Sequence, residues 1–122
     1  MYYESGLISK KAAAEINKVK KNGGKIIAVG TTVLRILESS KSTDGFIKPF
    51  KGKTNIFIKP GWNINSVDGI ITNFHTPKST LLLIIYTLIG RQKTLNLYNF
   101  AIKKKLRFFS YGDACLIWNK HD

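Results

Sequence analysis

Residues 66–80 carry the side chains of this chain that are best suited to chemistry. The first half of the segment is rich in β-branched residues, which indicates a strand that is buried on both faces. Polar groups follow at the carboxyl end of that strand, and Pro77 ends it because proline has no N–H to donate. Ligands of open α/β sheets bind at this end of the strands. The segment therefore predicts a reactive or ligand-binding site that includes Asn73 and His75.

A second strand–turn–helix unit covers residues 25–39. Gly30 allows a tight turn after the strand, and Thr31 or Thr32 can cap the helix. The exposed amides at such a helix start would favour an anion or a polar ligand edge. The signal is weak alone, because many α/β turns contain these residue types and the glycine spacing fits neither a Walker loop nor a dinucleotide fingerprint.

The elements that must position these turns alternate between helix and strand, and a third polar turn at residues 110–113 precedes the last strand. Ser9 can cap the first helix, which ends before Gly23. The alternation predicts a single α/β domain over residues 1–122, with a largely parallel sheet flanked by helices. The predicted strands cover residues 25–29, 55–58, 67–71 and 115–118, the predicted helices cover residues 10–22, 31–39, 81–89 and 92–106, and residues 40–53 are predicted to form an exposed loop.

The charge balance favours a polyanionic partner. Lys and Arg number 20 against 7 Asp and Glu, which gives a formal net charge of +13. A charge of this sign favours nucleic acid first and an anionic membrane surface second. The alternative is a basic composition shared by all proteins of an AT-rich genome, since the lysines are spread along the chain rather than gathered.

The counts of cysteine and histidine exclude two kinds of site. Cys115 is the single cysteine, so an internal disulfide is excluded and a reducing cytoplasm is expected. His75 and His121 are the only histidines, so no conventional zinc cluster can form and no metal site is predicted. The apolar block at residues 81–89 has about half the length that a membrane span requires, roughly 20 residues. We therefore expect a soluble protein without a membrane partner.

Four motifs follow one another along the chain. They read V-G-T-T-V-L-R-I-L-E-S, I-F-I-K-P-G, V-D-G-I-I-T-N-F-H-T-P-K-S-T-L-L and R-F-F-S-Y-G-D-A. Their order and spacing closely resemble the S-adenosylmethionine:tRNA ribosyltransferase-isomerase family of queuosine synthesis. The resemblance extends from about Glu4 to Ile117, which is nearly the whole chain, and four linked motifs make it specific.

The resemblance implies a reaction and its partners. Members of that family transfer the ribosyl part of S-adenosylmethionine to a 7-aminomethyl-7-deazaguanine base at the wobble position of tRNA. The sugar is rearranged to an epoxycyclopentanediol, so the product is epoxyqueuosine and adenine and methionine leave. S-adenosylmethionine is then the ribosyl-donor substrate, and no cofactor is expected. The oligomeric state is not implied.

The resemblance covers only part of such a protein. Family members are considerably longer, with an α/β domain and a β-barrel domain, and this chain resembles the C-terminal part of the α/β domain without the barrel. Met1 is therefore expected to be a fragment boundary or an internal start. The chain also departs from the family pattern, because Tyr2 stands where a histidine is usual, in a His-x-Glu pattern whose acid would be Glu4.

Two residues are the expected catalytic groups for this chemistry. A base must remove a proton next to the sulfonium, and the departing adenine needs a proton. His75 suits either task because imidazole titrates near neutrality, and the alternative is a histidine that only orients the substrate or bonds the backbone. Asp113 would contact the sulfonium, the substrate amine or the ribose hydroxyls, and the alternative is that it caps its own turn.

Five of the expected substrate-binding residues lie in the first two polar turns or one helical turn beyond them. Gly30, Thr31 and Thr32 would hold polar edges of the donor. Arg35, one turn along the helix, would bind a carboxylate or a phosphate. Asn73 has the amide donors and acceptor that suit the edge of a base.

The other expected substrate-binding residues include two aromatic rings. Phe74 and Tyr111 offer stacking faces for adenine or the deazaguanine, and burial in the core is the alternative for Phe74. Lys78 would serve a phosphate or carboxylate, since the dipole disfavours a cation at a helix start. The remaining members of the set are Ser79, Thr80 and Gly112.

A second class of function stays open at this point. A basic tRNA- or RNA-binding remnant without chemistry would bind RNA with steep salt dependence and would have no affinity for S-adenosylmethionine.

Overall fold

The computed structural model of the chain describes residues 3–75, 79–107 and 112–119. Within these ranges five strands and four helices form, and they alternate through much of the sequence. In chain order they are β1 (Glu4–Ile8), α1 (Lys10–Lys21), β2 (Ile27–Val29), α2 (Thr31–Ser40), β3 (Phe50–Thr54), β4 (Gly69–Asn73), α3 (Leu82–Ile89), α4 (Arg91–Lys103) and β5 (Ala114–Trp118).

The strands form two sheets. β1 pairs with β3 in antiparallel register, from Glu4 opposite Thr54 to Ile8 opposite Phe50. The second sheet has the order β2-β4-β5, with β2 parallel to β4 and β5 antiparallel to β4. The α/β class is confirmed, and parallel pairing among the described strands is confined to β2 and β4.

The direction of β5 has a simple cause. Two consecutive helices, α3 and α4, separate β4 from β5, whereas a parallel crossover commonly contains one. The chain therefore re-enters the sheet beside Asn73, at the edge where β4 ended, and Ala114 is the partner of Asn73. Alternation of helices and strands in the sequence does not reveal this return.

Helix α2 lies between the two sheets. It packs on β1 and β3 and also on β2 and β4. Buried apolar side chains therefore occur around much of the helix, among them Leu34, Ile36 and Leu37. Burial of these side chains fixes the β1–β3 pair to the second sheet through the helix.

The predicted N-cap of α1 is confirmed. Ser9 Oγ accepts a hydrogen bond from the Ala12 N–H at 3.0 Å. The side-chain amide of Asn17 exchanges two bonds with the backbone of Ile47, both at 2.8 Å. Lys20 Nζ donates to the Gly45 carbonyl at 2.6 Å. These contacts attach α1 to the connection between α2 and β3.

The β1–β3 pair was not predicted correctly. β3 lies at residues 50–54, where an exposed loop was expected, and the predicted strand at residues 55–58 has no strand pairing. Lys51 and Lys53 point to solvent, so β3 lacks an apolar stripe that a sequence pattern could show. Its backbone pairing with β1 is what makes it a strand.

Helices α3 and α4 form the other part of the core. Leu82, Ile84, Ile85 and Leu88 of α3 are buried, and the single residue Gly90 joins the two helices. None of the helices in the described ranges combines the length and the apolarity that a membrane crossing needs.

A candidate ligand-binding cleft at the carboxyl edge of the sheet

The strand register brings two of the predicted polar turns to one edge of the β2-β4-β5 sheet. Val29 at the end of β2 is opposite Ile71, and the Gly30 N–H donates to the Ile71 carbonyl at 2.8 Å. Asn73 at the end of β4 is opposite Ala114 at the start of β5. The residues after β2, after β4 and before β5 therefore share the edge at which α/β sheets bind ligands.

A cleft of about 430 Å³ opens at this edge. This volume lies within the usual range of small-molecule sites, and the lining combines apolar side chains with a few polar groups, as such sites do. The lining residues are Val29, Gly30, Thr31, Thr32, Ile71, Thr72, Asn73, His75 and Ala114.

The Gly30 turn presents unpaired donors to the cleft. Gly30 has a φ of 101°, which side-chain-bearing residues rarely adopt, and it is the N-cap of α2. Neither Thr31 nor Thr32 caps the helix as predicted, because Thr31 is already its first residue. Within the described ranges, the hydroxyls and the N–H groups of both threonines have no hydrogen-bond partner. The N-terminus of α2 is thus available to a polar or anionic ligand edge.

Asn73 is half-buried in the same cleft. Its side-chain amide makes no hydrogen bond to any residue that the structure describes. An amide offers two donors and one acceptor, so Asn73 can pair with a heterocyclic edge or with ribose hydroxyls.

His75 places a half-buried imidazole on the cleft. Its Nε2 lies 3.1 Å from Thr72 Oγ1, and the ring tautomer decides which atom donates. Desolvation by burial lowers the pKa of the imidazole below its ordinary value. The neutral ring, which can accept a proton, therefore predominates at neutral pH.

The backbone of His75 is held from helix α4. The His75 N–H donates to the Tyr98 hydroxyl at 2.9 Å, and the Tyr98 ring packs edge-on against Phe74 with centroids 5.5 Å apart. Phe74 is 2% exposed and does not line the cleft. Phe74 was expected to stack on a base. Its ring is instead buried in the core, where it packs against Tyr98, the residue that bonds the His75 backbone.

Thr72 belongs to the polar end of the predicted strand, but it was not among the predicted catalytic or substrate-binding residues. Its side chain lines the cleft and contacts the candidate base, although it is 7% exposed. The sequence feature that could have predicted this contact is the position of the Thr72 hydroxyl, three residues before His75 at the end of a predicted strand.

The described part of the third polar turn, Gly112 and Asp113, precedes the lining residue Ala114 and does not itself line the cleft. Asp113 Oδ2 accepts from the Arg107 N–H at 2.8 Å, and its Oδ1 lies 3.6 Å from Arg107 Nη2. The Asp113 N–H also donates to the Arg107 carbonyl at 3.0 Å. Asp113 is therefore bonded to Arg107, and its expected contact with a substrate stays a prediction. Gly112 forms a bend just before β5, and Tyr111 lies outside the described residues.

The structure corrects the expectation for Arg35. This residue is 1% exposed and does not line the cleft. Its Nε and Nη2 donate to the Ile56 carbonyl at 3.3 and 3.1 Å, and Nη1 lies 3.6 Å from Glu4 Oε1. The guanidinium is buried beside β1 and the segment after β3, so it serves the fold rather than a substrate.

Ser79 and Thr80 precede helix α3 and are not among the described residues that line the cleft. Ser79 Oγ accepts from the Leu81 N–H at 3.1 Å, and the Thr80 carbonyl accepts from the Leu83 N–H at 3.2 Å. Their contacts shape the first turn of the helix. Lys78 lies outside the described residues.

Fold and site together define an α/β protein with a polar-lined cleft at the carboxyl edge of its sheet. The sequence matches the family described as queuosine biosynthesis protein over residues 1–117. The chain therefore belongs to that family.

Two curated relatives show how much of a family member the chain corresponds to. It is 49% identical over 117 residues to the S-adenosylmethionine:tRNA ribosyltransferase-isomerase of Erythrobacter litoralis, which covers 96% of this chain and 34% of the relative. It is 52% identical over 116 residues to the protein of the same name from Carboxydothermus hydrogenoformans, covering 95% and 33%. The chain thus spans about a third of the length of these relatives.

A solved structure shares the fold. The crystal structure of S-adenosylmethionine tRNA ribosyltransferase from Thermotoga maritima superposes with a TM-score of 0.83 at 36% identity. The match covers 91% of this chain and 39% of that chain.

Proposed function

We propose that this chain supplies the donor-binding cleft of an S-adenosylmethionine:tRNA ribosyltransferase-isomerase. The observation that carries the proposal is the convergence of Thr31, Thr32, Asn73 and His75 on one cleft, in a member of the queuosine biosynthesis family. The reaction transfers and isomerises the ribosyl moiety of S-adenosylmethionine onto 7-aminomethyl-7-deazaguanine in tRNA. Its products are epoxyqueuosine, adenine and methionine.

The cleft supports a division of roles among these residues. The sulfonium of the donor acidifies the C5′ protons of the ribose, and the neutral His75 imidazole is a group on the cleft that can accept one. Thr31 and Thr32 offer N–H and hydroxyl groups to the polar edges of the donor, and Asn73 offers its amide to the edge of a base. Asp113 is bonded to Arg107 beside the start of β5, next to the cleft residue Ala114.

The remaining parts of the proposal concern the donor, the acceptor and the location. S-adenosylmethionine is consumed as a substrate, and no additional cofactor is part of the scheme. The net charge of +13 favours the polyanionic tRNA as the acceptor. The single cysteine is consistent with a cytoplasmic site of action.

Calorimetry with S-adenosylmethionine tests the donor part of the proposal on the chain as it exists. Saturable binding at one site per chain is expected. A chain that is folded by circular dichroism and gives no heat with the donor would remove the donor-binding role.

A chimera tests the reaction, since the chain spans about a third of its relatives. Residues 1–117 replace the matching segment of the Carboxydothermus hydrogenoformans relative, and the chimera is incubated with S-adenosylmethionine and tRNA that carries the aminomethyl-deazaguanine base. Release of adenine, followed by chromatography, is expected, and the unaltered relative is the positive control. A folded chimera that releases no adenine would contradict the enzymatic proposal.

A second function, RNA binding without chemistry, is favoured by the excess of basic residues alone. It predicts that tRNA binding weakens steeply as salt rises while the donor gives no heat in calorimetry. The two functions are therefore separated by the donor titration.

A further inference from the structure

One face of the β2-β4-β5 sheet is apolar and exposed to solvent. Side chains alternate between the two faces along each strand, and the register places paired residues on the same face. Ala28, Ile70 and Ile117 are paired across the three strands and are at most 5% exposed, so they form the buried face. The opposite face carries Ile27, Val29, Ile71, Leu116 and Trp118.

The exposure of this second face is large. Val29 is 66% exposed, Leu116 and Trp118 are each 48% exposed, and Ile27 is 37% exposed. Trp118 lies over Gly69, since a Cβ on that glycine would be 3.1 Å from Cε3 of the indole. We refer to Ile27, Val29, Ile71, Leu116 and Trp118 as the open face.

The open face is a contiguous patch rather than a set of scattered residues. Its members occupy adjacent paired positions, Ile27–Gly69–Trp118 and Val29–Ile71–Leu116, and no charged residue stands at these positions. Contiguous apolar patches on soluble proteins mark interaction surfaces, whereas single exposed apolar residues need no explanation. Sheets with parallel strands are also covered on both faces. Helices α2 and α3 contact this sheet, yet Val29, Leu116 and Trp118 stay exposed, so none of the described helices covers the face that they occupy.

The relatives are longer than this chain, which bears on what could cover the open face. The chain covers 34% of the Erythrobacter litoralis relative, so about two thirds of that relative lies outside the match. The geometry points to the open face as the docking surface for that additional part of a family protein, which presents an apolar helix to it. A helix is the element that packs on the second face of an α/β sheet.

The docking surface is continuous with the cleft. Val29 and Ile71 belong to both, and Asn73 and Ala114 extend the same face at the carboxyl edge. A helix seated on the open face therefore adds a wall to the cleft. The inference concerns assembly and does not depend on which reaction the cleft performs.

Cysteine labelling tests the inference. Val29→Cys and Leu116→Cys are made singly in a Cys115→Ser background, and Glu15→Cys on the exposed side of α1 is the matched control. Each is labelled with a maleimide in this chain and in the chimera with the Carboxydothermus hydrogenoformans relative. We expect labelling at 29 and 116 to slow by at least roughly tenfold in the chimera, because reaction then requires local opening. The control is expected to label at similar rates in both.

Three results would overturn the inference. Equal labelling of Leu116→Cys in the chain and in a folded chimera would show that the face stays exposed. A dimeric chain in light scattering, with Leu116→Cys protected in the chain itself, would make a second copy the occupant. If the chimera does not fold, the same cysteine is placed at the aligned position of the unaltered relative. Protection there supports the docking surface, and rapid labelling overturns it.

Discussion

The polar groups near the two ends of helix α2 differ in how many hydrogen bonds they make within the protein. At its carboxyl end, the Glu38 carboxylate accepts from Lys41 Nζ at 2.6 Å, from Trp62 Nε1 at 2.7 Å and from the Ser66 N–H at 2.9 Å. We call these four residues the Glu38 cluster. At its amino end, the cleft contains an Asn73 amide that has no partner within the described residues.

The difference separates polar residues that hold the fold from those that are free to bind. A buried carboxylate with three donors is satisfied, and removing it takes away the acceptor of an indole N–H and of a buried backbone N–H, while Lys41 keeps its bond to the Asn63 carbonyl. An unpaired amide beside free helix amides gains most when a ligand supplies the missing partners. Mutations at the Glu38 cluster should therefore change stability, and mutations in the cleft should change binding.

The largest expected effect is that of Glu38→Ala on stability. The Glu38 side chain is fully buried and is the carboxylate partner of Lys41, so its loss should lower the free energy of unfolding by about 3 kcal/mol. Urea denaturation followed by circular dichroism measures it. Glu15→Ala, on the exposed side of α1, should stay within about 0.5 kcal/mol of the unmutated chain. Similar losses in both variants would erase the distinction between the two ends of α2.

Asn73→Ala should weaken ligand binding and leave stability unchanged, which is the reverse of the effect expected for Glu38→Ala. Loss of a side-chain hydrogen bond to the donor is expected to weaken S-adenosylmethionine binding roughly tenfold in calorimetry, with the free energy of unfolding unchanged within about 0.5 kcal/mol. Asn96→Ala on α4, an exposed residue of the same type, is the matched control and should leave the affinity unchanged. Unaltered affinity in Asn73→Ala would mean that the amide does not face the donor.

Tyr98→Phe refines the comparison between residues that hold the fold and residues that bind, because Tyr98 contacts both Phe74 in the core and His75 at the cleft. The variant keeps the ring against Phe74 and removes only the hydroxyl that accepts the His75 N–H. The free energy of unfolding should fall by about 1 kcal/mol. Tyr86→Phe, whose hydroxyl has no described hydrogen bond, should be neutral in the same urea titration. Equal stability of both variants would show that Tyr98 does not hold the turn.

The smallest expected effect is the contribution of His75 to the pH dependence of the free energy of unfolding. Burial lowers the pKa of His75 in the folded chain, so the unfolded chain binds more protons as the pH falls below the ordinary value of about 6.5. The stability from the neutral imidazole is therefore complete above that pH and is lost as the pH falls through the folded pKa. Urea midpoints at about pH 7.5 and about pH 5.5 measure the loss in a His121→Ala background. His75→Gln should reduce the difference between the two midpoints, and an unchanged difference contradicts the assignment.

Local sequence determined the helix cap, the turn and the helix that form from neighbouring residues. Ser9 caps α1, Gly30 makes the turn before α2, and the apolar block becomes α3, because each depends on neighbouring residues only. The same local patterns predicted that Asn73 and His75 follow a buried strand, and both line the cleft.

Long-range contacts decided the rest. The pairing of β3 with β1, the antiparallel return of β5 and the burial of Arg35 all depend on residues far apart in the chain, which no local pattern contains. Register is the clearest case, because a shift of one residue would exchange the buried and open faces of the sheet. The sequence by itself therefore determined which groups could do chemistry, and the tertiary structure decided which of them meet at the cleft and which are held within the fold.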